Sequence, residues 1–325
     1  MTPAARLQAL RALAGARLTK GHGTENDFVL VDDPDGQVQL TPEAVAALAD
    51  RRGGIGGDGV IRAVRTANAA DPDAARVLAE EPGAEWFMDY RNADGSIAEM
   101  CGNGVRVFVR FLEHLGLADL TDGRALAIGT RAGVRHVRRD GDQYAVEMGE
   151  WRLTGGPQAL AEGYDAQVRT TGLDGVRVAL SVDMGNPHTV VALATDAELD
   201  GLDLTSIPEV APVPPAGTNV EYVVPRAETH DGGGTTVGHV RMRVHERGVG
   251  ETRSCGTGAC AAALAVAAWA GAGAPRTWFV DVPGGTVRVR MLPDQRVELA
   301  GPAVLVAHGH VDLAELRAGL TSEPA

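Results

Sequence analysis

The chain has 325 residues, 44% of them hydrophobic, and a formal net charge of -13, which leaves room for two domains with their own cores. Its negative field repels polyanions, which argues against nucleic acid and anionic membrane surfaces as partners, and no apolar run in the sequence reaches the roughly 18 residues of a membrane span. Three cysteines, Cys101, Cys255 and Cys260, with no CxxC pair, fit neither a disulfide framework nor a zinc site and point to a reducing cytoplasmic compartment.

In chain order, the first 24 residues carry four basic side chains and no acid, as transit peptides do. The near-helical spacing of Leu7, Leu10 and Leu13 reads instead as a short amphipathic helix in an extension over 1–16. A strand is predicted from Leu18, broken by a polar loop over 21–27 and resumed by Phe28 to Val31. A helix over 42–51 precedes a glycine-rich run in which Gly54, Gly56 and Gly59 match G-x-G-x-x-G. That match is discounted, since a dinucleotide fingerprint follows a strand and opens a helix, and here the order is reversed. Residues 66–84, with Asn68, Asp71, Pro72, Pro82 and Gly83, read as a mobile surface loop. The next strand, 86–91, runs into the turn at Asp94-Gly95.

The two halves then share a plan. Cys101 comes nine positions after Asn92, and Cys255 nine after Glu246, each on a C-G-x-G corner that opens an apolar helical run. Hairpins over 133–148 and 285–299 follow the helices. The run after Cys255 is apolar all round and must be buried, with Cys260 as a small core residue within it. Residues 153–174 and 208–215 read as loops, and 227–236, with three consecutive glycines, as a flexible one. Asn186-Pro187-His188 and Gly217-Thr218-Asn219 are corners at strand entries.

The expected fold is therefore α+β: two pseudo-symmetric halves, 17–149 and 150–299, each a curled, mostly antiparallel sheet around a central helix, with the active site between them. A strand at about 300–312 returns to the first half, and 313–325 is a tail.

A cysteine at a helix N-terminus is expected to ionise more easily than a free one. Glycines at 102, 104, 256 and 258 let backbone N–H groups form a nest for a carboxylate. Two such corners suit a reaction in which one thiol removes a proton from a carbon next to a carboxylate and the other delivers one to the opposite face. No metal and no cofactor is called for. Pyridoxal phosphate needs a lysine, and Lys20, the sole lysine, lies outside both corners. No HExxH occurs, and His308-Gly309-His310 alone is weak evidence of a metal. A nucleotide-binding reading of 256–261 fails because the strand ending near His245 is too far upstream to turn directly into the helix.

These residues resemble diaminopimelate epimerase: Arg91 to Ser96 leading to Met100-Cys101-Gly102-Asn103-Gly104, Glu246 to Thr252 leading to Ser254-Cys255-Gly256-Thr257-Gly258, together with Asn26-Asp27-Phe28 and Gly185-Asn186-Pro187-His188. The resemblance implies cofactor-independent epimerisation of LL-2,6-diaminopimelate to the meso form, in lysine and peptidoglycan-precursor biosynthesis. It makes Cys101 and Cys255 the acid/base pair, and Gly102-Asn103 and Gly256-Thr257 the carboxylate cradle. Asn26, Asn92, Asn186, Asn219, Glu246 and Arg247 become substrate contacts, and His188 and Glu246 become groups that tune the cysteines. Some family members carry a glutamine contact where this chain has Gly59. The alternative within the same architecture is a proline or hydroxyproline racemase, which usually has histidine where Asn103 stands. The partner expected is a small-molecule amino-acid substrate, with neither nucleic acid nor membrane, and a homodimer is allowed for.

Overall fold

In a computed structural model, residues 1–314 are described, so the expected tail over 313–325 lies almost wholly outside them. The chain divides into two compact units, Met1–Tyr144 with the segment from Ala303, and Ala145–Pro302.

In the first unit the strand Arg17–Gly23 pairs antiparallel with Asn26–Asp32, which pairs parallel with Gly59–Arg65. That strand is antiparallel to Trp86–Asn92, which is parallel to Leu126–Thr130, itself antiparallel to Gly133–Asp140. In the second unit Arg177–Asp183, Pro187–Ala192, Asn219–Pro225, Thr236–Glu246, Thr277–Val282 and Gly285–Met291 pair with the same alternation of antiparallel and parallel neighbours. Each sheet curls around one long helix, Gly102–His114 in the first unit and Gly256–Ala270 in the second, placed at the same point of the order. The repeat read from the two cysteine corners is thus a repeat of the whole topology.

After each unit's final hairpin comes one more strand. Arg152–Leu153 pairs with Arg177–Asp183, and Val304–His310 pairs with Arg17–Gly23. The pairing of 304–310 brings the end of the chain back to the first strand.

Gly256–Ala270 is buried because its sequence leaves no wide polar stripe, whereas Gly102–His114 is amphipathic, with Arg110, Glu113 and His114 on its less buried side and Asn103 and Arg106 taken into the core. In Gly256–Ala270 every residue from Gly258 through Ala267 is buried, Cys260 at 0% exposure. With the short 3-10 turn that follows, Gly256–Gly273 spans 18 residues, longer than the sequence suggested and long and apolar enough by length and composition to cross a membrane. Within the unit this helix packs against the surrounding strands, from Arg177–Asp183 to Gly285–Met291.

Several segments differ from their sequence reading. The expected loop over 21–27 is a tight hairpin whose two central residues, Thr24 and Glu25, have φ of 49° and 61°. Such a turn needs positive φ at both positions, and no glycine or asparagine announced it; a β-branched residue there is uncommon, and Thr24 is buried. Residues 66–84 are not a loop. They hold a helix, Pro72–Glu80, capped by the Asp71 carboxylate, which accepts from the Asp73 N–H at 2.9 Å, with proline in its first turn. Its Ala74 and Val77 pack with Val64, Phe87 and Ala127. A helix Gly156–Glu162 and a strand Ala166–Arg169 occupy the region 153–174, Glu209–Ala211 is a short strand, and the glycine triplet sits in a small hairpin in which Thr229–His230 pairs with Thr236 and Val237.

The N-terminal segment forms the helix Pro3–Leu10 and a 3-10 turn, and Leu10 and Leu13 join Leu18, Val29, Val31, Val45 and Leu48 in one core cluster. Because Leu13 is fully buried there, Leu13→Ala is expected to cost about 2–5 kcal/mol of unfolding free energy. Urea denaturation followed by circular dichroism measures it, and an unchanged midpoint would mean the segment is not part of the folded unit.

Candidate active site

In the first unit the strand order brings three residues to one end of the sheet. Asn26 begins its strand, Gly59 begins the next, and Asn92, in register with Gly59, ends the one after. Cys101 then caps the helix Gly102–His114, and its Sγ accepts from the Gly104 N–H at 3.4 Å. Asn26 Oδ1 faces Cys101 Sγ at 3.4 Å and accepts from Asn103 Nδ2 at 3.2 Å. Asn92 uses its amide locally, donating to Ser96 Oγ at 3.0 Å across the turn. Gly59 has no room for a side chain, since a Cβ there would come within 2.5 Å of the Arg91 carbonyl oxygen and 2.6 Å of the Tyr90 ring. The glutamine contact that the resemblance suggested at this position has no counterpart here.

The second unit repeats the construction with different chemistry. His188 lies opposite Asn219 on parallel strands, and Glu246 ends the antiparallel neighbour. Asn219 joins the elements: its Nδ2 donates to the Pro187 carbonyl at 3.2 Å, and its Oδ1 accepts from the Arg247 N–H at 2.9 Å. Arg247 also donates through Nη1 to the Ala216 carbonyl at 2.6 Å. Glu246 accepts from the Thr252 hydroxyl. Cys255 caps Gly256–Ala270, with Sγ accepting from the Gly258 N–H at 3.4 Å and lying 3.6 Å from the Thr257 hydroxyl.

One residue of this cluster was not singled out from the sequence. Glu221, fully buried, places Oε1 2.6 Å from His188 Nδ1, while His188 Nε2 lies 3.1 Å from Asn186 Oδ1. Its other oxygen, Oε2, is buried without a hydrogen-bond partner. A Cβ on residue 258 would fall 2.7 Å from Glu221 Oε1 and 3.2 Å from Cys255 Sγ, so the second glycine of this corner is demanded by the carboxylate behind it. No periodicity marked Glu221: Asn219–Pro225 is buried at every position but its last, and a single acid in such a strand carries little signal.

The electrostatics depart from the sequence expectation at Cys255. A helix N-terminus alone favours thiolate, but here burial pushes the thiol well above its usual value, and the negative charges of Glu246 and Glu221 push it the same way. The bonds from Thr257 and Gly258 oppose them and are outweighed. Desolvation wins because the sulfur sits inside the sheet rather than at an open helix end.

Residues 18–154 and 180–306 match the Diaminopimelate epimerase family. A diaminopimelate epimerase of Streptomyces coelicolor is 50% identical over 306 residues, covering 91% of this chain and 96% of the relative. One from Thermobifida fusca is 46% identical over 304 residues, covering 93% and 100%. Among solved structures, a phenazine biosynthesis protein of the PhzF family from Bacillus anthracis superposes with a TM-score of 0.57 at 16% identity, covering 91% of this chain and 99% of that one. A hydroxyproline epimerase from Agrobacterium vitis, with bound trans-4-hydroxy-L-proline, gives 0.55 at 17% identity, covering 91% and 92%. At such identities the structures speak for the two-halved α+β fold, and the sequence matches decide the rest: the chain belongs to the diaminopimelate epimerase family.

Proposed function

We propose that this chain epimerises LL-2,6-diaminopimelate to the meso form without a cofactor, with Cys101 and Cys255 as the acid/base pair. The observation that carries the reading is the duplicated corner: in each of two topologically equivalent units a cysteine caps the one buried helix. Packing of a thiol gives no reason for that repetition.

The backbone N–H groups of Gly102-Asn103 and Gly256-Thr257, at two helix N-termini, are the cradle for the carboxylate of the reacting centre. They stabilise the negative charge that moves onto it as the Cα proton leaves. One cysteine, as thiolate, takes that proton and becomes a thiol; the other, as thiol, gives its proton to the opposite face and becomes a thiolate. Charge and protons balance, and the configuration inverts. Cys255, whose burial and acidic neighbours hold its proton, is suited to enter as the donor.

Asn26, Asn92, Asn186, Asn219, Glu246 and Arg247 recognise the substrate in this reading. Arg247 offers a fork to the distal carboxylate and Glu246 an acceptor for the distal ammonium. His188, held by Glu221, and Glu246 tune Cys255. The reaction belongs to lysine and peptidoglycan-precursor biosynthesis in a reducing cytoplasm, where thiols stay reduced.

Incubation with LL-diaminopimelate in deuterated water should incorporate deuterium at Cα, followed by mass spectrometry, while L-proline and trans-4-hydroxy-L-proline should not exchange. Exchange of the prolines alone would assign the chain to the racemase branch. Cys101→Ser and Cys255→Ser should each abolish turnover with an unchanged circular dichroism spectrum, whereas Cys260→Ser retains it; equal losses in all three would point to packing. Arg247→Lys should lower kcat/KM for diaminopimelate by about tenfold or more, since lysine cannot grip a carboxylate with two parallel donors. Wild-type kcat/KM in that variant would remove Arg247 from recognition.

The raised Cys255 thiol gives a further outcome. Glu221→Gln removes one of the negative charges that hold the proton on, so the pH midpoint for alkylation of Cys255 by iodoacetamide should fall. A midpoint that stays or rises would show that Glu221 does not act on this sulfur.

A further inference from the structure

We propose that a one-way chain of side chains, Arg106 to Asn103 to Asn26 to Asp58, locks the Asn26 amide with its oxygen toward Cys101, which makes Arg106 and Asp58 positioning residues for that thiol. The importance of the thiol rests on the function proposed above.

The direction follows from the two ends. Arg106, at 0% exposure, can only donate, and its Nη2 gives a proton to Asn103 Oδ1 at 3.0 Å. That fixes Asn103 with Nδ2 outward, where it donates to Asn26 Oδ1 at 3.2 Å. At the other end Asp58, an ionised carboxylate, can only accept, and Asn26 Nδ2 donates to its Oδ2 at 2.7 Å. Donor end and acceptor end demand the same orientation of both amides, so neither can flip without losing a charge-assisted bond.

Cys101 Sγ, 3.4 Å from Asn26 Oδ1, therefore meets an acceptor whenever it carries a proton, which strengthens its thiolate as a base. Against this, the Gly104 N–H and the helix N-terminus favour the thiolate. The relay supplies the opposing pull.

The surroundings are built to hold this arrangement. Glycine at residue 23 leaves room for Arg106 and Asn103, since a Cβ there would sit 3.1 Å from Arg106 Nη2 and 3.1 Å from the Asn103 carbonyl oxygen, tighter than ordinary contact. Asp58 is held by Arg51, whose Nη2 donates to Oδ1 at 2.8 Å, and by the Asp27 N–H at 3.2 Å. Arg51 also grips Asp27 with two bonds of 2.9 and 2.7 Å, and Lys20 joins Asp27 at 2.5 Å. Burial would raise the Asp27 carboxyl, but these cations hold it well below the usual range. The charged groups around the relay are thus Arg106 on the helix, Lys20 and Asp27 on the hairpin strands, and Arg51 and Asp58 on the segment before the third strand.

The test is the rate at which Cys101 of the full-length protein is alkylated by iodoacetamide at fixed neutral pH, read from its peptide by mass spectrometry. Each single variant leaves the other end holding the Asn26 oxygen toward the sulfur, so the double variant Asp58→Asn/Arg106→Met, which frees both amides and leaves the net charge unchanged, should speed alkylation by about threefold or more, and either single variant by less. The comparison is repeated in about 1 M NaCl, where through-space effects of the lost charges are screened. A threefold or greater rise for the folded double variant that persists in salt supports the relay; any smaller rise, or one that disappears in salt, overturns it, as does a rise as large in either single variant. Alkylation needs no turnover, so failure of the relay leaves the epimerase reading intact, and a chain inactive on diaminopimelate still reports on the relay.

Discussion

Each cysteine is fixed by the backbone of the helix it caps, and each of those helices is pressed into a curled sheet. The Gly104 and Gly258 N–H groups reach the sulfurs at the same 3.4 Å. This cap forces much of what surrounds it. Glycine suits the third helical position, because a Cβ at 258 would fall 2.7 Å from Glu221 Oε1 and one at 104 would press on Ile61 at 3.2 Å. The helix beyond leads into the core, so it is apolar all round after Cys255 and, after Cys101, buries even Asn103 and Arg106 among its polar residues. The neighbouring strands must start and finish at the level of the cap, which is why Asn26, Gly59 and Asn92 in one unit, and His188, Asn219 and Glu246 in the other, come to the same edge.

The same backbone corner carries two different electrical environments. Around Cys101 the near partners are neutral amides, with charges at the far ends of a hydrogen-bonded chain. Around Cys255 they are two glutamates, and Glu221 is in turn bonded to His188, both wholly buried. A duplicated fold keeps the helix cap, since the main chain makes it, whereas the side chains behind it are free to diverge. In the mechanism proposed above such divergence would serve the pair, because two identical thiols would gain and lose protons at the same pH.

Much of the fold was legible in the sequence. The C-G-x-G corners, the nine-residue spacing from Asn92 and Glu246, the closing hairpin over 285–299 and the all-apolar run after Cys255 are local patterns, and each appears as read. The misreadings share a cause. Residues 66–84 carry turn formers, but Asp71-Pro72 is a helix start, and Ala74 and Val77 count as a buried face only when Phe87 and Ala127 stand opposite. Thr24-Glu25 carries no turn signal, and the pairing of the flanking strands imposes the positive φ there. Favourable thiolate at both helix ends was a sound inference for an exposed cap and failed at Cys255, where burial and two carboxylates outweigh the backbone donors.

What the sequence determined by itself is the set of local features: which residues turn, which alternate, where a helix starts with a sulfur at its head, and that this occurs twice. Those depend on a few neighbours along the chain and leave a periodic trace. Tertiary structure alone decided which polar groups are paired out of water. Arg106 reads as an ordinary helix arginine, Asp58 as a loop acid and Glu221 as one polar residue in a strand, until three-dimensional packing buries Arg106 beside Asn103, carries Asp58 to Asn26 and seats Glu221 between His188 and the helix that Cys255 caps. Desolvation and hydrogen-bond direction are properties of such neighbourhoods, and no spacing along the chain encodes them.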